Sequence, residues 1–252
     1  MKTRILALII GIAIGAYIGG FFSSQTVYIH TYNQTRILYR PLINITDSNA
    51  SVASINVPAV DQQGNGVITT LNVLVRPGTG KALVNIDKIL FWTDTQNSIR
   101  RARSVAEDIT GINLENYDLI YTITANASII EGSSAGAALT VATIAALERK
   151  ELNSSVMITG TVNHDGTIGP VGEILAKANA AKSTGAELFL VPLTQSTQTT
   201  YRSQRYCENI GFTQICTIEQ IPERVDVSEQ AGIKVKEVEN IREALDYFLV
   251  NN

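Results

Sequence analysis

Two stretches near residue 50 alternate apolar and polar side chains with a period of two. Residues 52–60 form one, and residues 66–75 (G-V-I-T-T-L-N-V-L-V) form the second; each reads as a half-buried strand. Pro77-Gly78-Thr79-Gly80 supplies a turn and the apolar pattern resumes over residues 82–86, so this region is predicted to be a meander or hairpin. The period then changes. Ile99, Ala102, Val105 and Ile109 fall on one face of a helix over residues 96–110. A strand is expected over 117–124, and a small-residue helix from the Gly/Ser turn at Gly132–Ser134 to about Arg149. Residues 156–162 read as a strand, 163–166 as a turn, 172–184 as a helix and 188–191 as a buried strand. Residues 193–222 read as irregular and polar, followed by a strand at 233–238 and a helix at 241–250. An early meander followed by βα units makes the class α/β (α+β).

The chain before residue 51 follows another rule. After Met1-Lys2-Thr3-Arg4, the 18 residues from 5 to 22 are uncharged and mostly apolar. At helical rise they span about 27 Å, close to the hydrocarbon thickness of a bilayer. The run exceeds a usual signal-peptide core and no clean A-x-A site follows, which favours a retained membrane anchor over a removed signal peptide. Lys2 and Arg4 precede the run and the next basic residue is Arg36, so the N-terminus is expected in the cytoplasm and the rest outside. Gly11, Gly15 and Gly19 align on one helix face, either as a packing stripe or as the ordinary glycine of membrane helices. Residues 23–50, polar and rich in Thr and Asn, read as a juxtamembrane spacer, and residues 51–252 as one globular domain.

Composition narrows the function. A hydrophobic content of 45% supplies a core, while the formal charge of −3 with acidic and basic residues interspersed argues against a nucleic-acid partner. Asn33, Asn44, Asn49, Asn126 and Asn153 each open an N-x-[ST] sequon, weak support for passage out of the cytoplasm. Cys207 and Cys216 are the only cysteines and would form either a disulfide closing a short loop or two buried thiols. The only histidines, His30 and His164, lie far from both in sequence, so no metal site and no cofactor is expected.

Candidate chemistry sits at Glu131-Gly132-Ser133-Ser134-Ala135-Gly136. Ser134 is placed in the first turn of a helix, where backbone N–H groups point outward and can stabilise an oxyanion, although serine also caps helices for purely structural reasons. A serine nucleophile needs a base. His164 lies in an N-H-D-G turn that turn chemistry explains. Lys177 shares a helical face with Ile174, Ala178 and Ala181, and burial of that face would lower its pKa toward that of a base; the bland alternative is a surface Glu173–Lys177 pair.

Several spaced segments together resemble the Lon protease family. E-G-S-S-A-G-A-A-L is similar to the family's [DE]-G-x-S-A-G nucleophile segment, and M-I-T-G-T-V (residues 157–162) to its M-T-G-x strand. G-T-I-G-P-V-G-E-I-L-A-K-A-N-A-A (residues 166–181) resembles its G-x-[VIL]-x-P-[VI]-G-G-[LV]-x-x-K-x-x-A-A segment, and Ser134 and Lys177 stand 43 residues apart, about as in the family. The similarity is weak from about residue 52, strong over 131–192, and returns at 233–245.

The resemblance implies a Lon-type proteolytic fold with Ser134 as nucleophile and Lys177 as general base. It also implies that Thr159 hydrogen-bonds and holds the lysine, and that Glu131 and Gly132 shape the loop leading to the serine. Assembly as a homo-oligomeric ring, acting on protein or peptide substrates, follows from the same resemblance. Three departures stand out: Ser133 replaces a frequent proline, Glu173 replaces a frequent glycine and would raise the pKa of Lys177, and residues 193–222 read as an insertion. Gly78-Thr79-Gly80-Lys81 is followed by Ala82 and does not make a phosphate loop, and the length left beside the anchor and protease domain is too short for an ATPase module. The expectation is therefore an ATP-independent Ser–Lys endopeptidase outside the membrane that cleaves unfolded or flexible chains. The alternative is a catalytically silent binding or assembly module tethered to the membrane.

Overall fold

A computed structural model describes residues 49–85, 93–125 and 132–249. The apolar run at residues 5–22, the spacer up to residue 48 and Glu131 lie outside the described residues. Among the described residues, no helix is long and apolar enough to cross a membrane.

Strands β1 (Ser51–Val60) and β2 (Gly66–Pro77) pair antiparallel along the whole of β1, as the two alternating runs predict. They join β3 (Ala82–Asn85) and β4 (Tyr117–Ala125) in a four-stranded sheet of order β1-β2-β4-β3, in which only the β3–β4 pair is parallel. Helix α1 (Thr93–Thr110) presents Ile99, Ala102, Val105 and Ala106 to the core.

Helix α2 (Gly136–Glu148) is buried from Gly136 through Ala146. Its sequence, G-A-A-L-T-V-A-T-I-A-A-L-E, has no charged residue before the last position, and a helix apolar all round must be enclosed. The two threonines that interrupt it return their hydroxyls to the helix carbonyls of Gly136 and Leu139, so burial leaves no polar group unpaired.

Strands β5 (Val156–Ile158) and β8 (Leu188–Pro192) run parallel, with β11 (Lys234–Val238) on the far side of β8. Alternation along β8 feeds two cores. Leu190 packs with α2 and the first sheet, while Phe189 and Val191 pack with α3 (Ile174–Ser183) and α4 (Val227–Ala231). Parallel strands covered on both faces read as continuous apolar runs, and L-F-L-V-P is one. Helix α5 (Ile241–Phe248) closes the first core through Ile241, Ala244, Leu245 and Phe248.

The structure departs from the expected elements in two places that matter. The predicted strand at 156–162 is broken: β5 ends at Ile158, and β6 (Thr161–Val162) pairs instead with β7 (Ile168–Gly169). Gly160 sits between them at φ 153°, where a Cβ would meet the Ile168 side chain at 2.4 Å. A glycine inside a strand often marks such a close approach. The second correction concerns residues 193–222, expected to be irregular. They lie mostly in a regular antiparallel hairpin of β9 (Thr197–Ile210) and β10 (Thr213–Asp226). Gly211 opens its two-residue loop at φ 65°, the positive φ that such tight hairpin turns require. The polar sequence hid the strands because neither face is buried, so no alternation was needed.

Candidate active site

Gly132 leads into a single 3-10 turn, Ser133–Ala135, and α2 begins directly after it. Ser134 therefore lies in the turn before the helix rather than in the helix proper. Gly132 takes φ 103° and ψ 161°, a conformation open to glycine and not to an L side chain. The turn is bonded to the break between β5 and β6. The Gly160 N–H donates to the Ser134 carbonyl at 2.9 Å, and the Ala137 N–H donates to the Gly160 carbonyl at 3.0 Å. The buried hydroxyl of Thr159 donates to the same Ser134 carbonyl at 3.4 Å. Ser134 thus emerges, partly exposed, from a turn fixed on both sides, with the positive end of the α2 dipole beneath it.

Lys177 comes from α3. Its side chain is buried at 4% exposure, beside the apolar cluster of Ile174, Ala178 and Ala181. Burial pushes its pKa down from 10.5 to about 8, against a smaller upward pull from the Glu173 carboxylate. The amine donates to the Gly172 carbonyl at 3.0 Å. Ion pairs among the described residues join Arg76 to Asp118 and Lys150 to Glu148, and neither takes up the Lys177 amine. Glu173 is exposed and sits at φ 58°, immediately before the helix. This left-handed conformation gives a physical reason for the glycine expected at that position.

The segment just ahead of α3 hangs from residues that the sequence did not single out. Gln195 grips the backbone of Val171 with both ends of its amide: the Val171 N–H donates to Oε1 at 3.0 Å, and Nε2 donates to the Val171 carbonyl at 2.7 Å. Gln198 accepts from the Leu175 N–H at 3.0 Å. No local signal marks these glutamines, because their partners lie 24 and 23 residues away.

Ser134 and Lys177 line one cleft of about 600 Å³, with Gly132 and Ser133 on the serine side and Val171, Gly172 and Glu173 on the lysine side. The turn between β1 and β2 contributes Val60, Asp61, Gln62 and Gly64. Asp61 stiffens that turn. Its carboxylate accepts from the Gln63 and Asn65 N–H groups and the Asn65 amide, and these bonds hold its pKa below the usual carboxylate range. Gly66, next along, passes so close to α3 that a Cβ would lie 2.0 Å from the Ala176 carbonyl oxygen.

Ser134, Lys177 and Gly132 thus line one cleft, and Thr159 takes a partner other than the one expected. Thr159 bonds the Ser134 carbonyl and not the lysine, whose amine is turned to Gly172. Its contact is to the serine turn, because the broken strand carries it under Ser134. Cys207 and Cys216 face each other across the hairpin and are joined by a disulfide. His164 is exposed in the turn between β6 and β7, where Asp165 and Thr167 make the hydrogen bonds.

Comparison with known proteins points the same way. Residues 65–228 match the model of the Lon protease (S16) C-terminal proteolytic domain. The chain is 23% identical to an archaeal Lon protease of Thermococcus kodakarensis over 81% of its own length and 32% of that protein. It is 25% identical to Lon protease 2 of Bacillus subtilis over 79% of its length and 33% of the relative. An archaeal Lon protease of Thermoplasma volcanium is 29% identical over 50% of this chain and 20% of that protein. The chain thus spans a third or less of the length of these relatives.

Proposed function

The chain belongs to the Lon protease family through its C-terminal proteolytic domain, and on that premise we propose that it is a serine endopeptidase working through a Ser134–Lys177 dyad. The observation that carries the reading is one cleft lined by both a serine on a fixed turn and a buried lysine whose pKa is held at about 8. A lysine with so depressed a pKa is in part neutral near physiological pH and can take a proton.

In the proposed reaction, the neutral Lys177 amine leaves the Gly172 carbonyl and accepts the Ser134 hydroxyl proton as Oγ bonds to the scissile carbonyl carbon. Backbone N–H groups at the start of the turn and helix stabilise the oxyanion. The C–N bond breaks as the ammonium returns its proton to the leaving amine, giving an acyl-enzyme on Ser134. Lys177 then deprotonates a water that attacks the ester, releasing the acid and restoring the serine.

The substrates of this reading are unfolded or flexible polypeptides, cleaved without ATP. Residues 5–22 would hold the domain at the outer face of a membrane, consistent with the basic residues before the run. Ring assembly is proposed by family resemblance.

The test incubates the full chain, without ATP, with an unfolded protein such as casein between about pH 6 and 10. Ser134→Ala and Lys177→Ala are each expected to lower cleavage by roughly 10³-fold or more. Wild-type cleavage should rise about tenfold from pH 7 to 9, as the amine becomes neutral in passing through about 8. Undiminished cleavage by Ser134→Ala removes the dyad. No cleavage by folded wild-type protein at any pH leaves the tethered binding module.

A further inference from the structure

The β9–β10 hairpin is built unlike the rest of the domain. Its strands pair only with each other among the described residues, and each is 14 residues long, about 46 Å of extended chain. Two strands alone are marginally stable in water, and here the disulfide between Cys207 and Cys216 ties them together toward the loop end. Both outer edges leave every second N–H and C=O without a strand partner, an open template for pairing.

Its side chains are as unusual as its edges. Tyr201, Tyr206, Ile210, Phe212, Ile215 and Ile218 are all exposed, Ile218 at 65% and Ile215 at 53%. Elsewhere among the described residues the exposed large apolar side chains are only Val52, Leu83 and Leu193. The register puts Ile218 on the face of the disulfide and Tyr206 and Ile215 on the opposite face, so no single side is turned to the core. Apolar groups left in water on both faces mark an interaction site.

The root of the hairpin identifies the occupant. Gln195, just before β9, and Gln198, within it, hold Val171 and Leu175, and Val171 lines the cleft. The root of the hairpin thus holds the segment that lines the cleft containing Ser134 and Lys177. An extended polypeptide fits all three features. Its backbone completes the open edge, its alternate side chains meet the exposed Tyr and Ile side chains, and its end reaches the cleft.

We infer that the β9–β10 hairpin is a capture arm that binds unfolded, apolar-rich polypeptide by strand addition and delivers it to the catalytic cleft. The inference deepens the peptidase reading and rests on it.

The test uses the full chain carrying Ser134→Ala, so that bound polypeptide is not cut. A fluorescent, reduced and carboxymethylated lactalbumin is titrated by anisotropy against this protein and against the same protein with Tyr206→Thr, Ile215→Thr and Ile218→Thr. Threonine keeps strand preference while removing apolar surface. The arm predicts an affinity loss of about tenfold or more. With Ser134 intact, the ratio of kcat/KM for the unfolded protein to that for a short peptide falls by a similar factor. Unchanged affinity and an unchanged ratio overturn the arm and leave the peptidase reading intact. Polypeptide binding that depends on the hairpin, in a wild type that never cleaves, supports capture by the arm and overturns both delivery to a catalytic cleft and the peptidase reading. Unchanged affinity with a drop in assembly mass by light scattering, or with loss of flotation on lipid vesicles, overturns the arm in favour of a second copy or a membrane surface.

Discussion

On one bank of the cleft the turn that carries Ser134 is bonded into the first core, whereas on the other Lys177 rises from a helix packed in the second core and faces a Val171–Glu173 segment tied to the root of an exposed hairpin. The serine turn is followed at once by a helix buried from Gly136 to Ala146, and its carbonyl is held by both Thr159 and Gly160. On the other bank, Gly172 and Glu173 are exposed, and two glutamine side chains fix the segment around them. Folding of the core is thus enough to position Ser134, the proposed nucleophile. Lys177 is carried by α3 and its pKa is lowered by burial, but the Gly172 carbonyl that its amine bonds belongs to a segment held by side-chain hydrogen bonds from the hairpin root.

The largest expected effect comes from breaking the first bank. Gly160→Ala places a Cβ 2.4 Å from the Ile168 side chain, at a φ of 153° that alanine resists. Overpacking and backbone strain together should cost roughly 3 kcal/mol, measured by urea denaturation. Because Gly160 also donates to the Ser134 carbonyl, kcat should fall while the pH of half-maximal activity stays near 8. A loss under about 1 kcal/mol would show that this bank is not set by the core as described.

The same contrast explains what could be read from the chain alone. The Ser134 bank was legible because burial leaves a periodic imprint, in the apolar runs at 52–60 and 66–75 and the small-residue helix after Ser134. Lys177 was legible as a charged residue among alanines, together with the spacing of the surrounding motifs. The hairpin was not, since two strands with neither face in the core need no alternation. Gln195 and Gln198 were equally silent: glutamine is common on surfaces, and only the fold brings these two to Val171 and Leu175. The break at Gly160 leaves one faint sign, a glycine within an apolar run that otherwise reads as continuous strand.

Breaking the second bank should cost less and act elsewhere. Gln195→Ala removes both bonds to Val171 and leaves its N–H and C=O to find other partners, a loss of about 1–2 kcal/mol. The activity change should carry a shift in the pH profile, because the freed segment includes Gly172, which holds the Lys177 amine. Gly160→Ala should show no such shift, and the pair of profiles separates the two banks. If Gln195→Ala left the profile unmoved, the base would be fixed by α3 alone.

The smallest effect has the opposite sign and sharpens the contrast, since it improves the weaker bank. Glu173 holds φ 58°, which costs a non-glycine residue roughly 1 kcal/mol, so Glu173→Gly should stabilise the protein by about that amount. The carboxylate also raises the Lys177 pKa, so its removal should move the pH of half-maximal activity below about 8 and increase cleavage at pH 7. Stability follows the same proton. Burial holds the folded pKa at about 8 against 10.5, so between these values the unfolded chain binds more protons and stability rises with pH. Below about pH 8 the buried ammonium is charged and gains a little from Glu173, a few tenths of a kcal/mol for an exposed carboxylate. Losing that attraction offsets part of the strain relief at pH 7, but not at pH 9, where the amine is mostly neutral. The stabilisation by Glu173→Gly, measured by denaturation at both pH values, should therefore be larger at pH 9. Equal stabilisation at the two would mean that Glu173 acts on the backbone alone and leaves the base untouched.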